Sequence, residues 1–142
     1  MNDIQKVRVR LKSVIDGLQI HNEYDGEYRC TNGIHNIAYT DLTANTVTKN
    51  GIEATEEAML LHRVGAFGGD MYFDMGTETI VNYSAFVLQK GFVLHTYEYR
   101  LTAYDDRIEI FVRYGLTDGS GEDAIRGEQN MEAIFISEEN EI

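Results

Sequence analysis

The residues with the most chemistry to offer are four histidines, one cysteine, nine tyrosines and an Arg-x-Gly motif at Arg63. The histidines are His21, His35, His62 and His95. None stands in a His-x-x-x-His or Glu-x-x-His spacing, which would bring two ligands to one metal. Scattered structural histidines are therefore expected, and no metal. Cys30 is alone, so neither a disulfide nor a cysteine zinc cage can form within the chain. No patterned His and Asn accompany it, so it is not read as a nucleophile. No Gly-x-Ser-x-Gly elbow is present. Gly65-Ala66-Phe67-Gly68-Gly69 has the composition of a phosphate cradle, but a cradle needs a helix N-terminus behind it. A strand is expected to follow here, so the glycines read as tight barrel bends. Asp118-Gly119-Ser120-Gly121 opens like a calcium loop. Asp123 then stands where that loop needs Gly and Gln129 where it needs Glu, so a solvated acidic hairpin loop is expected. Asn82-Tyr83-Ser84 is a glycosylation sequon in form only, because no export of the chain is expected.

The tyrosines are the strongest set. Strict alternation puts Tyr97 and Tyr99 on one face with His95, while Tyr83 and Tyr114 fall on strands expected to be near each other. Aromatic bodies with polar tips line pockets and orient ligands. Arg63, expected at a strand end, suits a carboxylate or phosphate. The candidate ligand-binding residues are thus Arg63, Tyr83, His95, Tyr97, Tyr99 and Tyr114. The competing reading packs the tyrosines into the core, hydroxyls at the rim, and pairs Arg63 with an acid. His95 and Glu98 form the best acid–base pair on offer, yet alternation puts them on opposite faces. No catalytic residue, enzyme activity or cofactor is expected.

The elements that must position these groups have a period of 2, not 3.6. Val7, Val9 and Leu11 alternate with Lys6, Arg8, Arg10 and Lys12. Asp16-Gly17, Asn32-Gly33 and Asn50-Gly51 read as hairpin turns. A weaker strand over 18–30 is expected to carry a bulge near Asp25-Gly26. Ile34–Asp41 alternates again, residues 42–51 read as a Thr- and Asn-rich connection, and 52–63 reads as one strand despite helical propensity. Ala66–Asp74, a turn at Asp74–Thr77, and Glu78–Leu88 follow. Gln89-Lys90-Gly91 reads as the next turn, leading to Phe92–Ala103. Arg107–Thr117 carries Ile108, Ile110, Val112 and Tyr114 on one face, and a last strand covers about 128–137. A polar, acidic tail begins at about 138. Nine or so long strands on short turns favour an antiparallel up-and-down β-barrel of eight to ten strands, a single domain over 1–142, because closure hides the sheet edges. Zero proline among 142 residues fits strands that donate hydrogen bonds on both sides.

Charge excludes other classes. The chain carries a net −12, the wrong sign for general nucleic-acid binding. No apolar run approaches the ~20 residues of a membrane helix, so no membrane association is expected. Residues 1–15 are net +3 and the remainder is −15. The basic first strand reads either as a patch for an anionic partner or as a wet face lying beside acids.

The order Leu60-Leu61-His62-Arg63-Val64-Gly65-Ala66, Met71-Tyr72-Phe73-Asp74-Met75-Gly76 and Val81-Asn82-Tyr83 has a family look. It continues with Tyr114-Gly115-Leu116 and Gln129-Asn130-Met131. Over nearly the whole chain it resembles the small bacterial family of uncharacterised proteins known as DUF1934, or YwiB-like. The resemblance implies a calycin-like (lipocalin-type) barrel with an enclosed cavity and brings no established activity. After Tyr83 the family tends toward Thr-Pro-Tyr-Gly, where this chain has Ser84-Ala85-Phe86-Val87.

The functional expectation is a cytoplasmic, non-catalytic barrel that binds a small, partly apolar molecule. The alternative is a protein-interaction module that uses the basic first strand or the acidic C-terminal segment, with a homodimer or protein partner.

Overall fold

The computed structural model of the chain describes residues 4–42, 46–65, 67–85, 88–117 and 125–136, with all side chains except those at 67, 82–85 and 88–91. Ten strands follow in order: β1 (Gln5–Ile15), β2 (Leu18–Thr31), β3 (Ile34–Asp41), β4 (Thr48–Ala54), β5 (Ala58–Gly65), β6 (Phe67–Asp74), β7 (Glu78–Ala85), β8 (Leu88–Ala103), β9 (Arg107–Thr117) and β10 (Ile125–Phe135). Each pairs antiparallel with its neighbours in sequence, and β1 closes on β10. This is the up-and-down barrel that the alternation predicts. Among the described residues the β6–β7 ladder sets Phe67 opposite Ala85 and Gly68 opposite Ser84. Among the described residues no helix is long and apolar enough to cross a membrane.

Period-2 patterning explains the core. Val7 and Val9 on β1 are fully buried, whereas Lys6, Arg8 and Arg10 between them are exposed. Ile37, Ile52, Met59, Phe73, Leu94 and Val112 fill the interior from other strands. Asp16-Gly17 and Asn32-Gly33 make the expected hairpins, with φ of 49° and 84° in the first and 53° and 80° in the second. Two positive φ values in succession define the type I′ turn that matches strand twist.

Several expectations need correction. Asn50-Gly51 is not a turn: both residues lie inside β4, opposite Tyr39 and Ala38. The stretch 52–63 is not one strand but parts of two. The break falls at residues 55–57, where the Thr55 hydroxyl accepts from the Glu57 and Ala58 amides at 3.3 Å each. Gln89-Lys90-Gly91 pairs with Ser84, Tyr83 and Asn82, so it belongs to β8 rather than to a turn. The Asp25-Gly26 bulge is absent, since β1 and β2 stay in register from Gln5 to Ile15. The register shift instead falls in β8 between Thr96 and Glu98. The loop beginning at Asp118 and the tail from 138 lie outside the described residues. Gly65 does mark a tight bend: its φ is 137°, and a side chain there would meet the Thr48 Cα at 2.9 Å.

The basic face of β1 lies against acids. Arg8 contacts Asp25 at 3.3 Å and Arg10 contacts Glu23 at 2.8 Å, both across the β1–β2 ladder. Arg10 also stands opposite Glu132 on β10.

Candidate functional site

The interior changes character along the barrel axis. At the end marked by the Asn32-Gly33 turn it is closed by side-chain packing. Tyr99 donates its hydroxyl to the Thr55 carbonyl at 2.6 Å. Phe135 packs on Tyr28 with ring centroids 5.2 Å apart. The Tyr28 hydroxyl lies 2.7 Å from His35 Nδ1. Burial lowers the His35 pKa, with Glu56 pulling the other way. The phenol donates to Nδ1 when the neutral imidazole carries its proton on Nε2.

Toward the Asp16-Gly17 end the interior becomes polar and aromatic. One registered row crosses four strands, with Tyr39 opposite Asn50, Asn50 opposite Arg63 and Arg63 opposite Gly69. Alternation puts Arg63 on the inner face, two residues beyond the buried Leu61 and flanked by the exposed His62 and Val64. A second row places Thr96 opposite Tyr114, and Tyr114 opposite Gly127. The Tyr114 ring fills the space where Gly127 has no side chain. A Cβ at that position would lie 2.6 Å from the Tyr114 hydroxyl oxygen, so only glycine fits beneath the ring.

Tyr24 stacks on Tyr39 at 4.8 Å between centroids and donates to Asp41 at 3.3 Å. Arg63 ties these groups together electrostatically. Its positive charge draws down the pKa of Tyr24, Tyr39 and Tyr114 alike. Burial outweighs it in each case, leaving Tyr39 pushed up to about 12 and Tyr24 and Tyr114 raised. All three are therefore neutral hydrogen-bond donors at physiological pH. Among the described residues no carboxylate makes an ion pair with Arg63.

A cleft of about 680 Å³ reaches this end from outside, lined by Val14, Asp16, Tyr97, Arg113, Tyr114 and Gly127 among others. Tyr114 thus borders both the barrel interior and the cleft. A smaller furrow of about 310 Å³ is lined by Ala38, Gly51, Leu60 and His62 among others.

The six candidates separate. Arg63 and Tyr114 belong to one interior group. Tyr99 is inside but at the far, closed end, committed to Thr55. His95 and Tyr97 are outside: His95 contacts Glu78 at 3.4 Å, and Tyr97 is 46% exposed beneath the Arg113 guanidinium. The expected shared face of His95, Tyr97 and Tyr99 is therefore incorrect. The bulge at Tyr97 shifts the alternation by one residue, so Leu94 and Thr96 point inward before it and Tyr99 after it. The same shift places Glu98 on the outer face, between Arg100 and Arg113, and not opposite His95 in facing. Tyr83 sits on β7 opposite Lys90, with β8 separating it from the strand of Tyr114. Its side chain lies outside the described residues. Tyr24, Tyr39, Asn50 and Thr96 were not singled out by sequence reasoning. The inward set Ile37, Tyr39 and Asp41 was nonetheless visible in the alternation of β3. Assigning Asn50 to a turn concealed the strand that carries it. No group of three or more metal-ligating side chains occurs among the described residues.

These features define an antiparallel ten-stranded β-barrel with a polar interior at one end. The family model for a domain of unknown function, DUF1934, matches residues 7–132, and the chain belongs to this family. The fold is similar to the crystal structure of the ywiB protein from Bacillus subtilis, with a TM-score of 0.82, 18% identity and 96% of each chain covered. No curated protein matches the sequence.

Proposed function

We propose that this barrel is a non-catalytic binding protein for a small, partly apolar monoanion, held with its charge at Arg63. The observation that carries the reading is Arg63 itself, an inward-facing guanidinium among tyrosines with no carboxylate partner among the described residues. Arg63 is half-buried, and a charge-assisted bond from a guanidinium partly screened from water to an anionic ligand is stronger than one in open solvent. Guanidinium geometry favours a planar carboxylate through paired N–H donors. The Tyr24–Tyr39 stack and the Tyr114 ring offer apolar faces beside that charge. Asp41 acts on Tyr24 and Tyr39, and Asp16 on Tyr114. Their negative charges disfavour a dianion, so a carboxylate suits the site better than a phosphate monoester. The cleft beside Tyr114 lies on the outer approach to this end of the barrel.

A cytoplasmic setting belongs to this reading. The alternative of an interaction module built on the basic first strand has less support, because Arg8 and Arg10 already contact acids of β2.

The chain has nine tyrosines and no tryptophan, so its intrinsic emission is tyrosine emission, to which Tyr24, Tyr39 and Tyr114 of the interior contribute. Titration with 3-phenylpropionate should perturb that emission saturably in the natural chain. The neutral 3-phenylpropanamide should do so weakly, and Arg63→Met should abolish the response. Equal responses to acid and amide, or an unchanged Arg63→Met variant, would contradict the reading.

A further inference from the structure

The Thr96 hydroxyl oxygen is buried and has no hydrogen-bond partner. The residue is 8% exposed and lies on the inner face two residues after the fully buried Leu94. Across the β8–β9 ladder it stands opposite Tyr114, the residue that also feels the Arg63 charge. An unsatisfied buried hydroxyl costs about 1–3 kcal/mol, and native interiors leave few of them. A threonine hydroxyl ordinarily finds a carbonyl on its own or a neighbouring strand, and this one does not. Valine has nearly the same shape and is likewise favoured in strands, so packing alone gives no reason for the oxygen.

We infer that Thr96 is the second recognition point of the same site, and that the ligand is an aromatic or similarly flat carboxylic acid with a hydroxyl or carbonyl distal to its carboxylate. The inference rests on the anion-binding reading above. The carboxylate would lie at Arg63 on β5, the flat body against Tyr114, and the distal polar atom at the Thr96 hydroxyl on β8. A hydroxyl both donates and accepts, so either kind of distal group completes the bond. A site that pairs a buried group with a substrate atom rejects the analogue lacking that atom, because the protein's own group is then stranded.

The test is calorimetric titration of the full chain with benzoate, phenylacetate and 3-phenylpropionate, each beside its 4-hydroxy counterpart. Three lengths cover the span between the two recognition points. At one length or more, the hydroxyl should tighten binding to the natural chain by about tenfold, the worth of one hydrogen bond. That gain should vanish in Thr96→Val and persist in Thr96→Ser, which keeps the oxygen. Without ligand, Thr96→Val should melt about 2 °C higher, since an orphaned group has been removed. If the plain acids bind through Arg63 but the hydroxyl adds nothing at any length, or its gain survives in Thr96→Val, this inference fails and the anion site stands. If none of the acids binds more tightly to the natural chain than to Arg63→Met, both fail.

Discussion

Asn50 on β4 and Arg63 on β5 are cross-strand partners on the inner face of the barrel, and Asn50 is 7% exposed. The Asn50 amide donates to the Thr48 carbonyl at 3.3 Å, so it completes its own strand and places no negative charge on the guanidinium. The β4 neighbour thus leaves the guanidinium available to a ligand, while Asp41 and Asp16 act on the tyrosines around it. Such an arrangement sacrifices stability for function. Arg63→Met should therefore raise the stability of the ligand-free protein by about 1 kcal/mol, read as a higher urea midpoint at an unchanged m-value. A fall in the midpoint would mean that Arg63 braces the fold.

Gly127 and Tyr114 form a fitted pair, and Gly127→Ala should be destabilising by about 1–3 kcal/mol through overpacking beneath the ring. Most of that loss should disappear in the background of Tyr114→Leu, which removes the ring. Additive losses in this double-mutant cycle would show that the two residues do not meet.

The bulge in β8 sets Tyr97 and Tyr99 apart, and their hydroxyls should answer differently to removal. Tyr99→Phe loses the bond to Thr55 at the closed end and should cost about 1–2 kcal/mol. Tyr97→Phe, on the outer face, should change stability by less than about 0.5 kcal/mol. Equal effects in thermal denaturation would contradict the shifted alternation.

His35 makes stability depend on pH in a defined direction. Burial lowers its pKa in the folded chain, so between that value and the unfolded value of about 6.5 the unfolded chain holds more protons. The contribution is fully present above about pH 6.5 and is lost as pH falls through the folded pKa. Melting temperature should drop between pH 7 and pH 5, and His35→Asn, which keeps an acceptor near Nδ1, should flatten that slope. The tyrosines act at the other extreme. Tyr39 titrates at about 12 in the fold, so its contribution is lost as pH rises above 10.

The exposed ion pairs on β1 are screened by water and salt. Arg10→Ala should cost no more than about 1 kcal/mol, and less at 1 M salt. A larger loss would show that the first strand depends on its charges rather than on Val7 and Val9.

Much of the architecture is legible in the alternation, because period 2 reports directly which side of a strand faces the core. The inner faces of β1, β3, β9 and β10 follow from Val7 and Val9, Ile37 and Tyr39, Ile108 to Tyr114, and Met131 and Ala133. Two physical effects hide the rest. A bulge adds one residue without a sequence mark, so the error over Tyr99 begins at Tyr97 and carries on down the strand. Turn-forming dipeptides also tolerate regular strands, so Asn50-Gly51 mimics a hairpin while β4 runs through it. The site suffers most from both, since Asn50 and Thr96 lie next to these features. Arg63 and Tyr114 were found because Arg-x-Gly and a tyrosine on a well-patterned strand depend on neither.

The most direct test of an anion site inside the barrel is a crystal structure of the full chain grown with 3-phenylpropionate. The carboxylate should lie within about 3 Å of the Arg63 guanidinium, with the phenyl ring against Tyr114. A ligand bound only in the furrow lined by Ala38 and Gly51, or an interior unchanged by the acid at saturating concentration, would contradict the account.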